Sequence, residues 1–364
     1  MNAALCVIAR RAVLFVGALP LLAGLAQAQH YAITDLGHIS GNSVNDLGEV
    51  VGTRFNDGSG PIHGYLWTKA HGFQDLGTLP GNPPGGQYSS AVGINRSGEI
   101  TGVSGIPSNG YPQPYFKPSP SQPMENIGLL PNYGNSHAIW GNAYAINNLG
   151  DIVGSNMLNY GDEVAFFWSK ATGVKRLYQA RGGRQTRATG INDVGQIAGY
   201  CQFPDSASPG TLFWRACLWA AHTSIPQSIG TLPNENILSM ANAINHSGEI
   251  VGQSSGSSTS HAFLWSAGRG MIDLGVLDPN GFSNALAIND AGEVVGFVGV
   301  PGNNPNYRPF VWTKAGGMKD LNHLIPSGTG WALQWASSIN TSGQIVGYGY
   351  LHGQIHGFLL TPVP

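Results

Sequence analysis

Three observations in the sequence predict an all-β chain closed into a ring of seven four-stranded units. A nonapeptide of pattern I-N-x-x-G-E-I-V-G recurs seven times. Each copy is followed by a short aromatic strand and, in six of seven cases, by a third signal such as FQDLGTL (73–79), PQSIGTL (226–232) or MIDLGVL (271–277). The segment missing after the seventh copy stands alone before the first, as AITDLGHI at residues 32–39. A period near 50 residues with four β segments per unit is that of a β-propeller. An open solenoid wants capping repeats, whereas a ring can complete its last unit with a strand from the other terminus. The expectation is a seven-bladed β-propeller closed by an N-terminal strand and filling residues 29–364.

The nonapeptides start at Val44, Ile94, Ile146, Ile191, Ile244, Ile288 and Ile339, so their Asn residues lie 44 to 53 positions apart. Most lie on an A-x-x-I-N strand, as in AVGIN at Ala91 and ALAIN at Ala285. Small residues at alternate positions share one strand face and suit the crowded axis of a ring. N-x-x-G then reads as a hairpin turn, with Asn at its start and Gly supplying a positive φ. The Asn and Gly are therefore read as turn chemistry. The acidic position is Glu49, Glu99, Asp151, Gln196, Glu249, Glu293 and Gln344. Gln in two copies argues against a ring of calcium ligands, and a polar strand start is expected instead. The third strands are GYLW, PYFK, AFFW, ACLW, AFLW, PFVW and GFLL, ending at Trp67, Lys117, Trp168, Trp219, Trp265, Trp312 and Leu360.

The first 28 residues read as a signal peptide: Arg10-Arg11, the apolar run AVLFVGALPLLAGLA, then Ala26-Gln27-Ala28, with cleavage after Ala28. The mature chain is thus expected in the periplasm or outside the cell, with no membrane span and as a monomer. It keeps 15 of the 17 Lys and Arg against 19 acids, which argues against nucleic-acid binding. Charged residues are 10% of the chain against about 25% in an ordinary domain, and Gly, at 53 residues, is about twice as frequent as usual. Cys201 and Cys217 remain after export. An oxidising compartment permits a disulfide, and the repeat sets them at the end and start of neighbouring strands, which favours a bridge over two buried thiols.

These motifs resemble the HAF repeat family of bacterial extracellular proteins. The name-giving signature stands as His261-Ala262-Phe263, followed by Leu264-Trp265. His63-Gly64-Tyr65 and His356-Gly357-Phe358 are looser versions, while Gln113, Val164, Arg215 and Arg308 replace the His elsewhere. D-L-G-x-L-P-G is intact from Asp75 to Gly81. The resemblance covers the whole mature chain and implies an exported repeat protein, but it implies no particular activity. The ending LTPVP is similar to the start of a Pro-Glu-Pro sorting tail in some relatives, and no such anchor is inferred.

The second-to-third and fourth-to-first connections vary between copies, and in an up-down blade they share one face. Loops on a rigid scaffold carry function. Candidate ligand-binding residues there are Tyr88, Tyr133, His137, Trp140, Arg187, Tyr307, Trp331 and Trp335. At least half of the aromatic rings on this face are expected merely to pack loops. His63, Arg215, His261, Arg308 and His356, at third-strand starts, could form a polar ring; hydrogen bonds to loop backbone are the plainer expectation for each. Asp162-Glu163 reads as a solvated loop. There is no G-x-S-x-G elbow, H-E-x-x-H or Walker sequence, and no catalytic residue, cofactor or metal is expected. The reading is a non-catalytic binding propeller for carbohydrate, peptide or protein. A polysaccharide-acting hydrolase or lyase with its site at the channel mouth is the alternative, and a purely structural surface protein is the third.

Overall fold

A computed structural model describes residues 30–55, 62–81, 88–105, 111–132, 135–205, 210–300 and 307–363. The signal-peptide reading and Tyr133 lie outside them. Seven four-stranded antiparallel sheets form the blades of a seven-bladed β-propeller. The innermost strands are Ile39–Val44, Ser89–Ile94, Ala138–Ile146, Thr186–Ile191, Leu238–Ile244, Phe282–Ile288 and Trp331–Ile339. In six blades the four strands follow in chain order. The last blade adds Ile345–Leu351 and Gln354–Val363, then takes its outer strand, His30–Asp35, from the other end of the chain. Tyr31, 1% exposed, sits in that blade's core, and its amide donates to Leu324 O. Among the described residues the one helical element is a single 3₁₀ turn, Leu321–His323, and no helix is long and apolar enough to cross a membrane.

Apolar side chains interdigitate between blades, as Ile39 and Val50 of the first do with Leu36, Val346 and Leu359 of the last across the closing seam. Buried hydroxyls staple the same seams. Ser89 Oγ accepts from Gly64 N (2.9 Å) and donates to Gly77 O (2.5 Å) of the preceding blade. Ser239 and Ser283 repeat this contact, and Thr186 repeats its accepting half.

The nonapeptide does more than turn the chain. In each copy the Asn Oδ1 accepts backbone N–H within its own turn, while Nδ2 donates to the side-chain oxygen four residues on and to the Asn carbonyl of the next blade. The inter-blade bonds run Asn45 to Asn95, Asn147, Asn192, Asn245, Asn289, Asn340 and back to Asn45, at 2.9 to 3.2 Å. All seven Asn residues are 3% to 5% exposed. This circle explains the acidic position: it supplies an acceptor oxygen, which Gln196 and Gln344 provide as well as a carboxylate does. The turn Gly residues have φ from 75° to 83°. The final Gly of each copy is needed for another reason. A Cβ at Gly52 or Gly347 would run into the carbonyl of Ser40 or Trp335 on the inner strand.

Asp46 adds a link across the seam. Its carboxylate accepts from the hydroxyl and amide of Thr341 (2.7 and 3.1 Å) and from Arg96 (2.7 and 3.1 Å). Burial pushes its pKa up, but the bonds from Thr341 and Arg96 outweigh burial and hold it below the usual carboxylate range. A folded pKa below the unfolded one adds stability above the unfolded value, which is lost as pH falls through the folded value. Asp46→Asn is therefore expected to lower stability by about 1 kcal/mol at pH 7, with the deficit fading below pH roughly 4. Urea denaturation at both pH values tests this, and a deficit that stays constant with pH refutes it.

Candidate functional site

The inner strands run from the variable loops to the N-x-x-G turns, so the residue before each small core residue lies toward the loop side of the channel. That position holds Ser40, Ser90, Asn142, Arg187, Met240, Asn284 and Trp335, all partly exposed. Each is in register with a second-strand residue: Thr53, Val103, Ser155, Tyr200, Gln253, Phe297 and Tyr348. Two sectors of this ring are unlike the rest.

The first is aromatic and spans three blades. Phe297 stacks on Trp335 with ring centres 3.8 Å apart and planes 18° apart. Tyr348 continues the stack at 6.0 Å and 14°. Tyr307 meets Trp335 edge-on at 5.7 Å, and Phe55 of the first blade meets Tyr348 edge-on at 5.9 Å. Offset and edge-on pairs of this kind hold one another rigid. Trp335 and Tyr348 stay partly exposed, while Phe297 is buried beneath.

The second sector is charged and lies three blades away, on the far side of the channel. Arg187 makes a bidentate ion pair with Glu163 at 2.7 and 2.7 Å. Its guanidinium lies 5.4 Å from the Tyr144 ring centre and 5.3 Å from that of Tyr200. Ser155 Oγ donates to Glu163 at 2.5 Å. Burial disfavours the charge on Arg187, but the bonds to Glu163 prevail and raise its pKa; burial raises that of Tyr200. Glu163 is thus not on a solvated loop. Its side chain is 8% exposed, because the start of the third strand lies under Arg187 of the next blade.

The other candidates are dispersed. Trp140 is partly buried at a bulge of the third blade's inner strand. His137 is exposed, and its amide donates to Asn159 Oδ1. Trp331 lies edge-on to His356 and Phe358. Tyr88 bridges to Ile62, and burial raises its pKa.

The polar ring does not form. Third strands lie two places out from the axis, and four of the five residues are held by a carboxylate of their own blade. His63 pairs with Asp75 (2.9 Å), His261 with Asp273 (2.8 Å), His356 with Asp35 (2.8 Å) and Arg308 with Asp320 (3.5 Å). Arg215 alone follows the plainer expectation, donating to the carbonyls of Trp214, Ile237 and Asn236. Three of these Asp residues also close a D-L-G turn, as Asp75 Oδ1 accepts from Gly77 N at 2.7 Å, and Asp320 accepts likewise from Asn322 N. Three of the four pairings were visible as a spacing of 12 between strand-three His or Arg and strand-four Asp, and the fourth, His356 with Asp35, joins the two ends of the chain. Glu235 was not visible: 3% exposed, it accepts from His261 N and lies 3.6 Å from His261 Nδ1, and burial raises its pKa. Cys201 and Cys217 are joined by a disulfide between adjacent strands. No cluster of three or more metal-ligating side chains occurs among the described residues.

No protein-family profile matches the chain, and no curated protein matches it in sequence. Solved structures resemble it in fold. A puromycin hydrolase mutant complexed with PGG is 12% identical with a TM-score of 0.51; the match covers 86% of this chain and 50% of that one. An oligogalacturonate lyase from Vibrio parahaemolyticus is 11% identical with a TM-score of 0.49, over 93% and 98% of the two chains. Trypanosoma rangeli sialidase is 8% identical with a TM-score of 0.45, over 92% and 55%. At these identities the likeness is one of fold, and the chain spans about half the length of the hydrolase.

Proposed function

We propose that the protein is an exported recognition propeller of the HAF repeat type that binds a neutral carbohydrate or a peptide at the loop side of its channel. The observation that carries this reading is the stacked platform of Trp335 and Tyr348, rigid beneath and open above. Flat aromatic faces suit the apolar side of a sugar ring or a peptide side chain, and a preformed platform lowers the ordering cost of binding. Arg187 and Glu163 neutralise one another and act as a pillar of the mouth. Export is supported by the disulfide, which suits an oxidising compartment.

One observation favours a second reading, a hydrolase or lyase acting on a polysaccharide. A buried carboxyl with a raised pKa next to a histidine, as in Glu235 and His261, has the character of a general acid. A glycan and peptide array with the full chain separates the two. Selective binding weakened about 10-fold or more by Trp335→Ala, with no turnover, supports recognition. Product release abolished by Glu235→Gln supports catalysis. Binding unaffected by Trp335→Ala overturns the platform.

A further inference from the structure

The turn side of the channel opens into a cavity of about 240 Å³ that recognition at the loop side does not use. Chain order sets its depth. Each inner strand ends on an aliphatic residue, the circle Asn follows, and one further residue stands at the rim. Val44 and six Ile residues form the floor. Four of these Ile residues also line the cavity inside the channel, so the aliphatic ring lies between the two spaces.

The rim is where the blades differ. In four seams the rim side chain accepts the amide of its counterpart in the preceding blade, at 2.8 to 3.1 Å: Asp46 from Thr341, Asn148 from Arg96, Asp193 from Asn148 and Asp290 from His246. These bonds fix the carboxylates in place. Asp46 is neutralised by Arg96. Asp193 and Asp290, among the described residues, accept from neutral donors alone. Asp193 takes the amide and side chain of Asn148, and Asp290 takes one amide on one oxygen. Both face the shared mouth: behind the bonds from Asp46, they add to the raised pKa of Arg96 on the far side. No group of three metal-ligating side chains converges among the described residues, and a metal ion would leave the aliphatic floor unused.

We propose that this cavity binds a primary alkylammonium group, with its chain on the aliphatic floor and its charge at Asp193 and Asp290. The site lies at the opposite end of the channel from the aromatic platform and does not depend on what binds there. The carboxylates select the charge and the floor selects the chain.

The test is calorimetric titration of the full chain at pH 7 and low salt with n-pentylamine, n-pentanol, valerate and methylamine. Pentylamine is expected to saturate one site with a Kd of roughly 1–10 mM. Pentanol and methylamine should each bind about ten-fold more weakly, and valerate not at all. Asp290→Asn keeps an acceptor for the His246 amide and should weaken pentylamine about five-fold, the value of one exposed charge contact. Arg96→Gln frees Asp46 and should tighten pentylamine about five-fold, a gain that damage to the fold cannot mimic. Trp335→Ala should change nothing. N-acetyl-lysine methylamide and 1,5-diaminopentane separate the two sources of such a group, a protein side chain and a free diamine, and the tighter binder names the source. No saturation by pentylamine up to about 30 mM overturns the proposal. So does equal binding of pentylamine and pentanol. So does pentylamine binding unchanged in both variants, or in Arg96→Gln alone if Asp290→Asn is unfolded.

Discussion

Asn245→Ala is expected to destabilise the protein by about 3–5 kcal/mol, far more than a surface turn substitution. The side chain is 3% exposed and satisfied at both ends. Its Oδ1 accepts from Glu249 N at 2.9 Å, and its Nδ2 donates to Glu249 Oε2 at 2.8 Å and to Asn289 O at 3.2 Å. Alanine strands an amide, a carboxylate oxygen and a carbonyl at a seam, and stranded groups cost more than the bonds were worth. The Asp variants sharpen the test. Asn245→Asp sets a carboxylate against Glu249, whereas Asn192→Asp meets Gln196, whose amide can turn to donate. Asn245→Asp should therefore be worse than Asn192→Asp by about 1 kcal/mol or more in chemical denaturation. Equal losses would show that the circle of amides is incidental to stability.

Deleting residues 30–37 is expected to leave a chain that cannot close. The closing strand makes six register pairs with Gln354–Val363, buries Tyr31 and Leu36 almost completely, and carries Asp35 to His356. Tyr31→Ala alone should cost about 3–5 kcal/mol, the usual range for a large aromatic removed from a core. The deletion should cost more, because it exposes the edge of Gln354–Val363 to pairing with other chains. It should show as loss of the cooperative melt and as aggregation. A peptide HYAITDLG supplied in trans should restore part of the melt. A deletion variant that melts within a few degrees of the parent would mean that the ring is held by its other seams alone.

Much of this was legible in the sequence because turn grammar is local. N-x-x-G and D-L-G declare their geometry within four residues, and seven copies count themselves. The displaced AITDLGHI told which strand closes the ring. What stayed hidden depends on neighbours in space. Nothing in I-N-x-x-G says that Asn95 reaches the carbonyl of Asn147, since the blade-to-blade offset is not a property of one copy. Asp162 and Glu163 are adjacent in the chain, yet one meets Arg184 and the other is roofed by Arg187. The platform draws Phe55, Phe297, Tyr307, Trp335 and Tyr348 from three blades. Of these only Tyr307 and Trp335 stood in loops or strand starts conspicuous enough to be chosen.

The two ends of the channel differ in symmetry, and this sets how many guests each can hold. At the turn side the same amide bond repeats seven times, so the scaffold there is degenerate under rotation by one blade. At the loop side the equivalent position is filled by Ser, Ser, Asn, Arg, Met, Asn and Trp, and no rotation maps that set onto itself. For the proposed loop-side guest this predicts one orientation and one copy per ring, although the backbone beneath repeats seven times.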